Sequence, residues 1–338
     1  TNTWGAYQCY GNQHYKFFDL SKAQDDDYDY VLSSQVYIDL ENLYSEVKHN
    51  ATKKKQGQKR LETILNNAAS NNLIDGVIRE KEALIYDELN EPLKALETFG
   101  AVLTLEDANF SLKVLEHFCL LRSHNFSEDA EKRLAELDQV TKLAMIGKTT
   151  LRLGVVGNAY KFASAYEQPK KRDLYLKFAL DYYTEAFMIN SDLYDGNSLD
   201  AFSNMVFIAY LLEGYGHGSL KALFERFTTK EPLTYLRDFH KQLDDVDPED
   251  LDISVLLGMT EVSFCLLLLD KNEAQEEQLF AEINKRFNET FRLLHSARQI
   301  RIEIAQIEFL TKHTAIISEK KINILNKIKR ALEEKNKS

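Results

Sequence analysis

Residues that break or cross-link a backbone are scarce in this chain. Its 338 residues include 13 glycines, 4 prolines and 3 cysteines. So little turn punctuation argues against the many short strands of a sandwich or barrel and favours long helices joined by short loops. Cys9, Cys119 and Cys265 are odd in number, far apart and set in apolar surroundings. They read as buried thiols of a reducing compartment rather than a disulfide framework or metal cluster. No run of 18 apolar residues occurs, and no basic-then-apolar leader follows Thr1, so no membrane span is expected. The missing initiator Met suggests a chain excised from something longer or trimmed.

Catalytic signatures are also missing. Gly147, Lys148 and Thr149 imitate the end of a phosphate-binding loop, but Lys142 stands where its first glycine belongs and no strand pattern precedes it. The histidines (His14, His49, His117, His124, His217, His240, His295, His313) form no HExxH and no His/Cys pair at metal-ligand spacing. There is no G-x-S-x-G elbow. The expectation is therefore a chain that is not an enzyme and that takes no cofactor and no metal. The formal net charge is −11, with 53 acidic against 42 basic residues, which argues against a general nucleic-acid binder. The sequons at Asn50, Asn109, Asn125 and Asn288 carry no meaning in the cytoplasmic location expected here.

What the chain does hold is a spacing pattern from Thr149 to Ile189. Gly157 precedes Tyr160 by three positions, Ala179 precedes Tyr183 by four, and Ala186 follows three later. These are the spacings of a tetratricopeptide hairpin, in which a small residue on one helix leaves room for an aromatic on its partner. Such a hairpin cannot bury its apolar face alone, so further hairpins must stack on it.

Along the chain, residues 1–30 form an aromatic and acidic lead-in with Trp4, Tyr7, Tyr10, Tyr15, Phe17, Phe18 and the run Asp25, Asp26, Asp27, Asp29. Its aromatics either pack over the first helices or form a ligand-stacking surface. Helices follow within 31–72, at 31–49 and 58–70, separated by an exposed basic stretch around Lys53–Lys55. Residues 73–296 carry the repeats. Ala83, Tyr86, Ala95, Phe99 and Val102 fit the template, and Pro92 opens a second helix. Residues 111–122 and 128–145 give the next hairpin by apolar periodicity alone. In the central hairpin Tyr160 to Ala179 spans nineteen residues against nine for Tyr86 to Ala95, so about ten extra residues near Glu167–Lys171 lengthen the helices or project a loop.

Further on, the glycines of the GYGHGS break end a helix that begins near Asn197. Pro248, flanked by acidic residues, marks the start of a nearly all-apolar helix at 249–269 that belongs in the centre of the stack. Residues 297–338 read as a long C-terminal capping helix, or two placed end to end, with Ile300, Ile304, Ile307, Leu310, Ile317, Ile324, Ile328 and Leu332 on one stripe. The basic tail, with Lys320, Lys321, Lys327, Lys329 and Arg330, seals the last apolar face or docks a partner.

GNAYKFA at 157–163, FALDYYTEAF at 178–187, the following YDGNSLDAFSNMVFIAYLLEG and the closing HSARQIRI at 295–302 together resemble the tetratricopeptide-like TRAF-binding regulatory region of apoptosis signal-regulating kinases and its bacterial relatives. The likeness covers roughly 75–302 and departs from the family pattern at Asn197–Ala201 and in 218–245. It implies a non-catalytic regulatory or scaffolding module of the kind that sits inside longer multidomain proteins.

The fold expected is all-α: a tetratricopeptide-like hairpin solenoid, a right-handed superhelix, whose first helices line a concave wall. By helical phase Gly157 and Tyr160 face the second helix, leaving Asn158 and Lys161 toward the groove, with Asn204 the comparable polar residue of the next unit and Arg152 and Asp195 nearby. Polar groups in an apolar wall need partners: neighbouring helices, or a bound ligand. The function expected is a protein-interaction scaffold holding a protein or peptide partner in that groove. The alternative is a ligand- or peptide-sensing domain of a larger signalling or effector protein whose catalytic part lies outside this chain.

Overall fold

The computed structural model describes residues 30–49, 54–105, 111–192, 195–218, 220–244, 252–293 and 296–337. The aromatic lead-in, Asp25–Asp29 and the Pro248 helix start lie outside these residues. Every regular element described is a helix: α1 (Ser33–His49), α2 (Lys54–Ser70), α3 (Gly76–Glu88), α4 (Pro92–Val102), α5 (Leu112–His124), α6 (Ala130–Thr141), α7 (Leu143–Ile146), α8 (Thr150–Ser164), α9 (Pro169–Ile189), α10 (Gly196–Gly214), α11 (Leu220–Phe224), α12 (Pro232–Asp244), α13 (Ile253–Leu269), α14 (Glu273–Leu293), α15 (Ala297–Thr311) and α16 (Glu319–Lys337). Sequence neighbours pair as hairpin-like units (α1 with α2, α3 with α4, α8 with α9, α13 with α14), and α1 on α3, α5 on α8 and α10 on α13 join the units.

Local sequence sets these boundaries. Asp75, Ser111, Asp129, Thr149 and Asp252 each accept a backbone N–H of the first turn that follows, satisfying donors the helix cannot. Pro92 and Pro169 occupy first-turn positions where their missing N–H costs nothing. Helix α3 ends with Asn90 in the left-handed region (φ 66°), and Glu91 N–H reaches back to the Tyr86 carbonyl at 2.9 Å. Gly216 (φ 80°) ends α10 the same way, with His217 N–H on Leu212 O at 2.7 Å. Both are Schellman stops. The Gly147–Thr149 stretch that imitates a phosphate loop is the turn before α8, with the Thr149 hydroxyl accepting from Arg152 N–H at 3.2 Å.

The core runs as three successive apolar clusters along the array, the largest around Tyr183, Phe202, Phe207, Phe264 and Phe309. The small-against-aromatic pairing is direct. A Cβ on Gly157 would meet the Tyr183 ring at 2.9 Å, and Tyr160 packs on Tyr175, Phe178 and Tyr182 of α9. The extra residues of this hairpin lengthen its helices, since only Ala165–Gln168 separate α8 from α9. Helix α13 packs on α10, α12 and α14, as its uniform apolarity requires.

The C-terminus departs from the expected capping helix. Lys312–Ser318 break it in two, and α16 packs against α15 rather than continuing it. The stripe from Ile300 to Leu332 is therefore split between two elements. The basic tail is largely used internally: buried Lys321 donates to the carbonyls of Leu268 and Asp270 at 2.7 Å each, the C-terminal end of α13, where a cation is favoured. Lys320 pairs with Glu276 (3.1 Å) and Lys329 with Glu308 (2.6 Å).

Candidate functional site

Helix α15 does not extend the far end of the stack; it packs on α3 and on the inner face of α8. Its first two turns carry Arg298 and Arg301, which converge on Asp87 at the end of α3. Arg298 Nε lies 3.2 Å from Asp87 Oδ2, the Arg301 guanidinium binds the other oxygen, and His117 Nε2 adds a contact at 2.8 Å. Burial pushes the Asp87 carboxyl up, but the His117 hydrogen bond and the neighbouring Arg301 and Arg298 guanidinium groups outweigh it and hold the group well below the usual carboxylate range. The Ser296 hydroxyl, which caps α15, donates to Glu88 at 3.0 Å. A carboxylate placed at the end of α3 is disfavoured by that helix's dipole and favoured by the N-terminus of α15, so the two helix ends suit one another.

Between α15 and the wall it faces is a cavity of about 410 Å³. Its residues come from α8 (Thr150, Gly154, Asn158, Lys161), α10 (Asn197, Asp200), α13 (Ser254, Gly258, Glu261) and α15 (Gln299, Glu303, Gln306), with Lys48 of α1, Glu88 of α3 and His124 of α5 at its margin. The three- and four-residue spacings place one stripe of each helix on the cavity. A second cavity of about 190 Å³ adjoins it along α15 and shares Leu120, His124, Arg298 and Ile302.

At the inner end sits Lys161, 1% exposed. Its ammonium donates to Asn204 Oδ1 and Gln306 Oε1, both at 2.7 Å, and lies 4.5 Å from the centre of the Phe162 ring. Asn204 in turn donates to the Asp200 carboxylate and carbonyl at 2.9 Å each. Asp200, Glu261 and Glu303 surround the ammonium electrostatically. Burial pulls Lys161 down to about 8, against the raising effect of those carboxylates. Burial likewise pushes Glu303 up to about 8 and Glu261 well above the carboxylate range, each reinforced by neighbouring negative charge.

Hydrogen bonding in this cluster is incomplete. Glu261 Oε2, Glu303 Oε2 and Gln306 Nε2 are buried without a partner. The Gln306 amide cannot be turned to repair this, because a lysine only donates and so fixes the amide oxygen toward Lys161. Among the described residues no group of three or more His, Cys, Asp or Glu can hold a metal ion, and no helix is long and apolar enough to cross a membrane.

Of the residues singled out from the sequence, Asn158 and Lys161 line the cavity, and Asn204 (1% exposed) lies directly behind it. Asn158 also accepts the Tyr183 hydroxyl at 2.8 Å, a bond between paired helices. Arg152 and Asp195 lie elsewhere: Arg152 donates to Glu116 at 2.7 Å, and Asp195 accepts from Asn190 and Ser198 at 2.8 Å each. Sequence reasoning missed Asp200, Glu261, Glu303 and Gln306. The available signal was charge where the helical pattern calls for apolar residues, clearest for Glu261 within VLLGMTEVSFCLLLL.

No protein-family model matches the chain, no curated protein is similar to it, and no solved structure is similar to it. The reading of the site therefore rests on the chain's own residues.

Proposed function

We propose that this chain is a non-catalytic interaction module of tetratricopeptide type, and that the cavity between α8, α10, α13 and α15 is where it holds a peptide or a segment of a partner protein. The observation that carries this reading is the set of unpartnered buried polar atoms on residues walling that cavity. Such atoms cost roughly 1–3 kcal/mol each if left unpaired, and a bound ligand is one way to recover that free energy. The first helices of successive units supply the wall, as expected of the inner face of a helical solenoid.

The coverage by α15 favours a sensing role in particular. A cavity of about 410 Å³ falls in the size range of small-ligand sites, roughly 300–1,000 Å³. A short segment fits better than a long partner helix, which would need α15 displaced. On this reading the chain is a regulatory domain in a larger signalling or effector protein, and ligand binding changes how firmly α15 is held.

Gly154 offers a clean test, because a Cβ there meets nothing closer than Asp200 Oδ2 at 3.9 Å and a larger side chain projects into the cavity. Protein purified gently from its own cells, wild type and Gly154→Phe, is compared by native mass spectrometry at matched helicity. The reading expects a bound mass on the wild type that the variant loses. The same bound mass at the same occupancy on both would overturn it.

A further inference from the structure

Resting on that reading of the cavity, we infer the chemical class it recognises: the free amino terminus of a peptide, its ammonium held by Glu261 and Glu303 and its first carbonyl by the Gln306 amide. The unsatisfied atoms are two carboxylate oxygens and one amide N–H₂ group. The glutamates ask for a donor and the Gln306 amide for an acceptor, on the wall of one cavity. An α-ammonium next to a peptide carbonyl supplies that combination within one residue. A simple amine or polyamine supplies the donors but leaves Gln306 unanswered, and an anionic ligand would meet the carboxylates with like charge.

Charge points the same way. An arriving ammonium meets three carboxyl groups, Asp200, Glu261 and Glu303, against the single charge of Lys161, and it favours the ionised form of the two glutamates that burial holds protonated. A metal ion is a poor occupant, because no three of these groups converge with metal-ligand geometry among the described residues. The existing contacts leave the ligand-binding atoms free: Lys161 is satisfied by Asn204 and Gln306 Oε1, and Asp200 by Asn204, while Glu261 Oε2 and Glu303 Oε2 keep open valences. The terminal torsions of Glu261 and Glu303 are broad, so their carboxyl groups can turn toward a ligand at little cost, while Lys161 keeps the Gln306 amide in its present orientation. Glu261 is 7%, Glu303 2% and Gln306 3% exposed, so the hydrogen bonds they make are shielded from water and strong.

The test uses the full chain and three probes: a pool of random tripeptide amides with free amino termini, the same pool N-acetylated, and spermidine. Melting temperature and calorimetric affinity are read for each. The free-amine pool should raise the melting temperature and bind about tenfold or more tightly than the acetylated pool, the loss expected when charge-assisted hydrogen bonds are removed. Spermidine should fall behind by a similar factor. Glu261→Gln/Glu303→Gln should abolish the preference for a free amine. The comparison of free and acetylated pools on the wild type stands even if that variant does not fold. Equal binding of both pools, binding of neither, or spermidine binding as well as the free-amine pool each overturns the inference. If Gly154→Phe still sheds the natural bound mass while no free-amine preference appears, the cavity reading survives and only the amino-terminus assignment falls.

Discussion

Arg301 and Asp87 are bonded across 214 residues of sequence, joining the second turn of α15 to the last turn of α3. That ion pair holds the C-terminal part of the chain against its N-terminal part. Asp87 is fully buried, so its charge must be matched where it stands. Asp87→Asn leaves Arg298 and Arg301 without their carboxylate and should cost roughly 3–5 kcal/mol by denaturant unfolding. With the folded-state group held below its unfolded value, the contribution is present above about pH 4 and is lost as pH falls below that. The wild type should therefore lose its advantage over Asp87→Asn in acid.

Lys161→Met tests whether the buried ammonium is structural. The change removes the donor for Asn204 Oδ1 and Gln306 Oε1 and leaves Asp200 without its cation. A loss of roughly 3–5 kcal/mol is expected, the usual cost of breaking one side of a buried charge network. A loss under about 1 kcal/mol would mean that water reaches the site and takes over these bonds.

Glu303→Gln should act in the opposite direction. Burial and the nearby Asp200 charge hold Glu303 at about 8, above its unfolded value near 4.3. Its stabilising protonation is therefore complete below about pH 4 and is lost as pH rises toward 8. The glutamine variant keeps a neutral side chain throughout. Its stability advantage should grow between pH 5 and 8 by up to about 1.4 kcal/mol per unit, read from urea midpoints at each pH.

Gly154 and Gly157 sit about one helical turn apart on α8. A Cβ on Gly157 meets the Tyr183 ring at 2.9 Å, whereas one on Gly154 finds only Asp200 Oδ2 at 3.9 Å. Gly157→Ala should destabilise by about 1–3 kcal/mol through overpacking. Gly154→Ala should stabilise by roughly 0.5–1 kcal/mol through helix propensity. Thermal unfolding of the two variants checks the sign of each.

The pairing of helices was legible because it depends on local spacing: Gly157 against Tyr183 and the cap of α4 at Pro92 follow from residues close in sequence. Helical phase also turned Lys161 away from the second helix of its hairpin, and there it bonds the neighbouring helices through Asn204 and Gln306. The role of the C-terminal segment did not. An apolar stripe shows that a helix is covered but not by what, and the same pattern serves a straight cap or two packed helices. Nor could the sequence bring Glu303 and Gln306 to Lys161, since the Lys161–Gln306 contact spans 145 residues and depends on the path of the whole array.

The most direct measurement is a crystal structure of the protein purified gently from the cells that make it, read for density in the cavity between α8, α10, α13 and α15. A peptide-binding interior predicts ordered density in contact with Glu261, Glu303 and Gln306, with α15 in place above it. A cavity filled only by water, with a co-purified partner seated on the outer helices, would contradict it.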